Sequence, residues 1–177
     1  MKIDILMGSP NYNGSTDILV KEFARGAEAA GNTAVIHEIC HLNIRPCMGC
    51  LRCGNEGPCV LKDDMEGIKQ SLLAADMAVF ATPLYYCGMS AQLKTVIDRF
   101  CSFQKSLLNR HMKSALLAVA RDAEADTFDA LTAHYQALVR YLQFEDMGMV
   151  IGKGCATLAT TRRSSAPQKA YQLGKSL

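Results

Sequence analysis

Five short apolar runs, separated by longer stretches with helical spacing, constrain the fold of this chain most strongly. Their bounds are Ile3–Met7, Thr33–Ile39, Met77–Ala81, Ala115–Val119 and Met147–Ile151. Because the runs are almost continuously apolar, they are typical of parallel strands that helices cover on both faces. The alternation predicts an α/β fold, namely a three-layer sandwich around a five-stranded parallel sheet.

Several helix boundaries carry recognisable capping signals. Asp63 and Glu66 resemble a capping box that begins a helix ending near Ala75. Ser90 is a candidate N-cap for the helix that follows it. Apolar residues at helical spacing predict two further helices, over residues 125–141 and 166–173.

Length and charge exclude several classes of protein. The 177 residues, without a repeat or a linker, predict one domain over residues 1–177. The net charge of +2, with no Lys/Arg run, argues against a nucleic-acid partner. No run approaches the roughly 18 apolar residues that a membrane helix needs, and the N-terminus lacks a signal-peptide pattern. We therefore expect a cytoplasmic protein without a membrane partner.

The loop after the first run, from Gly8 to Thr16 (the first loop), carries groups suited to a phosphate. It reads Gly-Ser-Pro-Asn-Tyr-Asn-Gly-Ser-Thr and is followed by a helix. Glycine turns, hydroxyl and amide donors and a helix N-terminus together form an anion site. The alternative is a plain strand-to-helix turn with a Ser/Thr cap. The position after the first strand favours the binding site, since ligands of open parallel sheets bind at the carboxyl ends of strands.

The loop after the third run, from Thr82 to Ala91 (the second loop), contains two adjacent aromatic residues. Tyr85 and Tyr86 lie between Pro83 and Gly88. Aromatic side chains here are suited to border a flat ring system, and backbone N–H groups near Gly88 to reach its carbonyl oxygens. The alternative is that the tyrosines only pack beneath the loop.

Together the two loops resemble the NAD(P)H-dependent FMN reductase group of the flavodoxin-like superfamily. The residues that match its two motifs are Gly8-Ser9-Pro10, Gly14-Ser15-Thr16, Pro83, Tyr85, Gly88, Lys94, Asp98 and Arg99. Asn11 departs from the family, which has a basic residue at that place. The resemblance extends to the ending around Tyr171 and so covers most of the chain.

This resemblance implies a flavodoxin-like sheet of order 2-1-3-4-5 and a set of FMN-binding residues. The phosphate of FMN would be held by the first loop, at Ser9, Asn11, Asn13, Gly14, Ser15 and Thr16. The flavin ring would be bordered by the second loop, at Pro83, Leu84, Tyr85, Tyr86, Cys87, Gly88 and Met89. The loop after the fourth strand departs from the family; in it Arg121 would meet the flavin edge or a nicotinamide phosphate, or be a surface residue.

Four of the eight cysteines are crowded into one short segment. Cys47, Cys50 and Cys53 form C-x₂-C-x₂-C, and Cys59 follows after five residues. Four thiolates at this spacing suit a 4Fe–4S cluster better than a structural zinc ion, which usually takes two separated knuckles. The segment also resembles the cysteine motif of the iron–sulfur flavoproteins. The alternative is a set of free or redox-active thiols.

The resemblance implies that the cofactor carries the chemistry, so that no side chain acts as a nucleophile or a general base. We expect an FMN-dependent NAD(P)H oxidoreductase that passes electrons to a small-molecule or protein acceptor. One alternative is an iron–sulfur flavoprotein whose 4Fe–4S cluster serves electron transfer with a ferredoxin-like partner. Another is a non-enzymatic redox sensor based on cysteine oxidation. The family resemblance implies a homodimer or a higher homo-oligomer.

Overall fold

A computed structural model describes all residues from 1 to 177 and contains five strands and seven α-helices. The strands are β1 (Lys2–Met7), β2 (Thr33–Glu38), β3 (Met77–Pro83), β4 (Lys113–Val119) and β5 (Glu145–Gly152). The helices are α1 (Ser15–Ala29), α2 (Met65–Ala74), α3 (Ala91–Arg99), α4 (Gln104–Leu108), α5 (Asp129–Leu142), α6 (Leu158–Arg163) and α7 (Ala166–Lys175). None of the helices is both long and apolar enough to cross a membrane.

The five strands form one parallel sheet of order β2-β1-β3-β4-β5, which confirms the predicted flavodoxin-like topology. One apolar core lies between the sheet and α2, α3 and α5. A second core lies on the other face, beneath α1 and α7. Central strands are buried on both faces, which explains why β3 is apolar along nearly its whole length.

The helix boundaries differ from the predictions where a long-range contact competes with a local signal. Ser90 does cap α3, since its Oγ accepts a hydrogen bond from the backbone of Leu93 at 3.3 Å. The predicted capping box at Asp63 is wrong, because α2 begins at Met65 with Asp64 as its N-cap residue, and the Glu66 carboxylate accepts from Lys69 and Gln70 rather than from the backbone of Asp63. The Asp63 carboxylate accepts the N–H of Met65 at 3.3 Å and also binds the distant Arg99.

Two helices differ in extent from the predictions, and two more were not predicted at all. Helix α5 begins at Asp129, four residues after the predicted start, because residues 125–128 form tight turns, in which the N–H of Asp129 donates to the carbonyl of Asp126 at 3.0 Å. Helices α4 and α6 have five and six residues, too few for a clear apolar period. The predicted final helix is confirmed and extends to Lys175.

Helices α1 and α7 cross in close contact because each contributes a glycine to the crossing. A Cβ atom added at Gly26 would overlap the carbonyl oxygen of Tyr171, and one added at Gly174 would overlap the carbonyl oxygen of Phe23. The absence of side chains at both positions therefore lets the two backbones touch. This crossing holds α1, and with it the first loop, against the C-terminal part of the chain.

Candidate functional site

A cleft of about 280 Å³ (the strand-end cleft) lies at the carboxyl ends of β1, β3, β4 and β5. It adjoins the point between β1 and β3 where the strand order reverses, which is where ligands of this topology bind. Its lining residues come from four loops: Ser9, Asn11, Ser15, Thr16, Pro83, Leu84, Tyr85, Val119, Ala120, Arg121, Cys155 and Ala156.

The first loop is attached to the second through the backbone of Gly8. Its N–H donates to the carbonyl of Ala81 at 2.8 Å, and its carbonyl accepts from the Ser90 hydroxyl at 2.6 Å. A Cβ at Gly8 would lie 2.6 Å from the Cβ of Leu93 and 2.7 Å from the Ser90 hydroxyl. Only glycine therefore allows β1 to pass this close to α3 and places Ser9 at the cleft.

The N-terminus of α1 is available to a ligand. Its N-cap residue Gly14 has no side chain, and no side-chain hydrogen bond caps the helix. The first N–H groups of a helix have no partner within the helix, and the helix dipole makes this end positive. Ser15 and Thr16, the first two residues of α1, both line the strand-end cleft. The arrangement can accept an anion without a Lys or Arg side chain in the loop.

Two of the predicted phosphate-binding residues lie outside the cleft lining. The side-chain carbonyl of Asn13 accepts a hydrogen bond from Lys21 at 3.1 Å, and the backbone of Asn13 has a left-handed φ of 54°. Gly14 donates its N–H to the carbonyl of Asn11 at 3.2 Å. Both residues therefore shape the turn that presents Ser15 to the cleft.

The second loop forms a tight two-residue turn beside the cleft. Tyr85 and Gly88 exchange both backbone hydrogen bonds at 3.0 Å, and the two residues between them have positive φ, 46° for Tyr86 and 64° for Cys87. Pro83, Leu84 and Tyr85 line the cleft. Tyr86 and Cys87 are exposed, whereas Met89 is buried in the core beside α3. Neither tyrosine packs beneath the loop, contrary to the alternative interpretation.

The remaining walls of the cleft come from β4 and β5. Arg121, predicted near the flavin, lies on the cleft lining and is exposed. The sequence motifs did not predict Val119, Ala120, Cys155 and Ala156, which form apolar surface there. The N–H of Cys155 donates to the carbonyl of Ala120 at 2.7 Å, so the loops after β4 and β5 are joined. For these four residues, the only signal in the sequence is that they lie at or just after the ends of predicted strands.

The four crowded cysteines line a second, largely apolar pocket (the cysteine pocket). Cys47, Cys50, Cys53 and Cys59 share it with Cys101, which is remote from them in sequence and belongs to no motif. All eight cysteines are free thiols, and no three Cys, His, Asp or Glu side chains are arranged to hold a metal ion. The predicted 4Fe–4S cluster therefore stays a prediction. Burial, and then the neighbouring Cys53, raise the pKa of the Cys101 thiol.

A buried ion pair lies against the cysteine pocket. The Arg99 guanidinium, 2% exposed, donates to both carboxylate oxygens of Asp63 at 2.7 and 3.1 Å and to the carbonyl of Arg45 at 2.8 Å. Burial alone would raise the pKa of Asp63, but hydrogen bonds from Arg99 and the backbone of Arg45 outweigh it and hold that pKa below its usual value. The Nε–H of Arg99 is buried without a partner, and Arg99 lines the cysteine pocket beside Cys59.

Known proteins resemble this chain in sequence. An iron–sulfur flavoprotein of Methanocaldococcus jannaschii is 34% identical over 99 residues, which cover 56% of this chain and 51% of that protein. YwqN of Bacillus subtilis, whose name describes an NAD(P)H-dependent FMN-containing oxidoreductase, is 27% identical and covers 87% of this chain and 86% of its own. The chain spans about half the length of the iron–sulfur flavoproteins it matches.

Solved structures share the fold, and one family model matches most of the sequence. An NAD(P)H:quinone oxidoreductase from Methanothermobacter marburgensis superposes with a TM-score of 0.82 at 17% identity, covering 99% of this chain and 94% of its own. An identity this low shows the fold alone. The model for NADPH-dependent FMN reductase matches residues 1–152. The chain therefore belongs to the NADPH-dependent FMN reductase family.

Proposed function

We propose that this chain is an FMN-dependent NAD(P)H oxidoreductase whose strand-end cleft binds FMN. The observation that carries the proposal is the uncapped N-terminus of α1, which opens on the cleft beside three hydroxyl groups, those of Ser9, Ser15 and Thr16. This is a phosphate site next to an apolar wall, and FMN has a phosphate joined to a flat ring system. Membership of the FMN reductase family supports the same cofactor.

The two ends of the cleft would have different tasks. The first loop would bind the phosphate through neutral donors and the helix end. The apolar surface of Pro83, Leu84 and Val119 would exclude water from one side of the ring, while the open side admits a second molecule. The chemistry that FMN supplies when bound is hydride uptake from a nicotinamide, followed by release of electrons singly or in pairs.

Arg121 would favour the approach of a reduced nicotinamide donor. Its guanidinium is exposed on the cleft lining, and nicotinamide dinucleotides carry negatively charged phosphates. The acceptor would be a small molecule or a protein that enters by the same open side. No titratable side chain of the cleft has to exchange a proton with the reacting atoms in this scheme.

Blocking the cleft tests the proposal directly. Ala156→Trp places a large ring in the cleft from an exposed position, so it should abolish FMN binding and NAD(P)H oxidation with a quinone acceptor. Ala29→Trp, at the exposed far end of α1, is the matched control and should leave both unchanged. FMN bound per chain, measured after gel filtration, reports the result. Equal FMN binding by the two variants would contradict the assignment of the cleft.

A second candidate function adds a 4Fe–4S cluster in the cysteine pocket. Five cysteine thiols line this pocket, four of them from the crowded segment, and the buried Nε–H of Arg99 beside them has no partner. Thiolates and the cluster they hold form an anionic group, which a buried cationic donor fits. Because no three thiols are yet arranged for a metal ion, Cys47 and Cys50, both exposed, would have to turn inward on binding.

Purification without oxygen distinguishes the two candidates. Flavin absorbance with about four irons and four sulfides per chain would support an iron–sulfur flavoprotein, for which a ferredoxin-like partner becomes the expected acceptor. Replacing Cys53 with Ser should then remove the iron, whereas replacing the distant Cys155 should not. Flavin absorbance without iron would contradict the second candidate and support an FMN-dependent oxidoreductase that has no cluster.

We also propose that a second copy of the chain covers exposed apolar side chains of the loops. Tyr12, Met48, Leu51 and Tyr86 are all more than half exposed. All four belong to loops that follow β1, β2 and β3, and large side chains of this kind are commonly buried at interfaces. Sedimentation should give a dimer or higher oligomer for the wild type, and a smaller species for Leu51→Glu. A monomeric wild type would contradict this.

A further inference from the structure

Ser90 joins the two loops that would hold opposite ends of FMN. It lies near the end of the second loop and is completely buried. Its hydroxyl donates to the carbonyl of Gly8, the first residue of the first loop, at 2.6 Å, although the two residues are 82 positions apart. Ser90 is not among the residues that line the strand-end cleft. The sequence signals assign it only the capping of α3, and the bond to Gly8 is a second contact of the same hydroxyl.

The partners of the Ser90 hydroxyl fix the direction of this bond. The oxygen accepts the N–H of Leu93 at 3.3 Å, and its single hydrogen has one acceptor, the Gly8 carbonyl. A carbonyl carries no hydrogen, so Gly8 can only accept. Gly8 is buried and its carbonyl accepts no other hydrogen bond. Loss of the Ser90 hydroxyl would therefore leave a buried acceptor without a partner and release the first loop from the second at this point.

Ser90 is itself fixed to the part of the second loop that lines the cleft. Its backbone N–H donates to the hydroxyl oxygen of Thr82 at 2.9 Å, and the Thr82 hydroxyl donates to the carbonyl of Pro83 at 2.8 Å. Thr82 is completely buried, and its side chain joins the two ends of the second loop. Pro83 lines the strand-end cleft. A continuous set of buried hydrogen bonds therefore runs from the cleft wall at Pro83, through Thr82 and Ser90, to Gly8.

We propose that Ser90 is a positioning residue that sets the separation between the phosphate end and the ring end of the FMN site. FMN has to meet both loops at once, so it binds more tightly when the loops already lie at the right separation. The inference rests on the proposed function, because it needs FMN in the strand-end cleft. Ser90 acts through Gly8, which precedes Ser9 at the phosphate end, and not on the cofactor directly.

Comparing FMN with riboflavin, which lacks the phosphate, tests the inference. Ser90→Ala removes the hydroxyl, so FMN should bind roughly 3- to 10-fold more weakly, the range expected for one lost hydrogen bond. The loss is partial because the backbone bond from Gly8 to Ala81 remains. Riboflavin meets the ring end alone, so its affinity should stay within about 2-fold of the wild-type value. Quenching of flavin fluorescence measures both affinities.

Ser114→Ala is the matched control for this experiment. Ser114 is also completely buried, and its hydroxyl oxygen lies 3.1 Å from that of Tyr135. It lies near the start of β4, at the opposite end of the sheet from the strand-end cleft. Both substitutions remove one buried, hydrogen-bonded hydroxyl and should lower the melting temperature by roughly 2–4 °C. Only Ser90→Ala should change the ratio of FMN affinity to riboflavin affinity.

Ser90→Gly separates the bond to Gly8 from the capping of α3. Glycine is a much better N-cap residue than alanine, so this variant should fold even if Ser90→Ala does not. It also lacks the hydroxyl, so it should show the same selective loss of FMN affinity. Equal losses for FMN and riboflavin, full FMN affinity in Ser90→Ala, or restored FMN affinity in Ser90→Gly would overturn the inference alone. A wild type that binds no FMN would contradict the proposed function, and the inference with it.

Discussion

Replacing Gly26 with Ala should destabilise the protein, although the same change in an ordinary helix is stabilising. The new Cβ would overlap the carbonyl oxygen of Tyr171 and lie 3.0 Å from the backbone nitrogen of Lys175. Carbon atoms pack at about 3.5 Å or more, so α1 and α7 would have to separate by about 1 Å. Both obstructing atoms belong to the backbone, so no side-chain rotation can relieve the overlap.

The expected free-energy change follows from two opposed effects. Overpacking of this kind costs about 3 kcal/mol, while Ala gains about 1 kcal/mol over Gly in a helix interior. The net loss of unfolding free energy is therefore about 2 kcal/mol, which lowers the melting temperature by roughly 4–8 °C for a chain of this length. Thermal and urea denaturation followed by far-ultraviolet circular dichroism measure the change.

Gly67→Ala is the matched control for this prediction. Gly67 lies in α2, is exposed, and has no neighbouring atom within 4 Å of the position that a Cβ would take. The substitution should therefore stabilise the protein by about 0.5–1 kcal/mol through helix propensity alone. If Gly26→Ala stabilised the protein as much as Gly67→Ala does, the close crossing of α1 and α7 would be refuted.

Three further substitutions or conditions have defined outcomes. Asp63→Asn leaves the buried Arg99 without its carboxylate, so it should lower the free energy of unfolding, measured by urea denaturation, by about 3–5 kcal/mol. Asp98→Asn, in the exposed pair with Lys94, is the control and should lower it by less than about 1 kcal/mol. Because folding lowers the pKa of Asp63, the ionised carboxylate stabilises the folded state above the usual carboxyl pKa, and this stabilisation is lost as the pH falls through the lowered value. Acid should therefore reduce the stability of the wild type more than that of Asp63→Asn. Cys87→Gly relieves a left-handed backbone conformation and should stabilise the protein by about 1 kcal/mol; a loss of stability would show that the thiol has a packing role.

The fold could be predicted because its signals are local and repeated. Each central strand is a short apolar run, and each long helix has its own period, so the alternation alone indicates a parallel sheet. Ser90 could be predicted as a cap because the cap bond reaches only three residues along the chain. Asp63 has a similar local signal and its carboxylate does accept the N–H of Met65, but its main partner is Arg99, which lies 36 residues away and could not be predicted from the local sequence.

The candidate site could be predicted only in part, for the same reason. The loops after β1 and β3 carry recognisable motifs, and Ser9, Ser15, Pro83 and Tyr85 do meet in one cleft. Cys155 also lines that cleft, although no sequence motif surrounds it. Contacts between residues far apart in sequence, such as that between Thr161 and Ser15, leave no periodic or spacing signal in a single sequence. Only the folded chain brings them together.

The most direct measurement is an anaerobic titration of the FMN-loaded protein with NADPH, and then with NADH, followed by the visible absorbance of the flavin. We expect the flavin band to bleach in proportion to the nicotinamide added, with about one equivalent sufficing for each bound FMN. The Ala156→Trp variant, treated in the same way, should show no bound flavin to reduce. If FMN remained bound and oxidised in the presence of either nicotinamide, yet bleached with dithionite, the chain would be an FMN protein but not an NAD(P)H oxidoreductase.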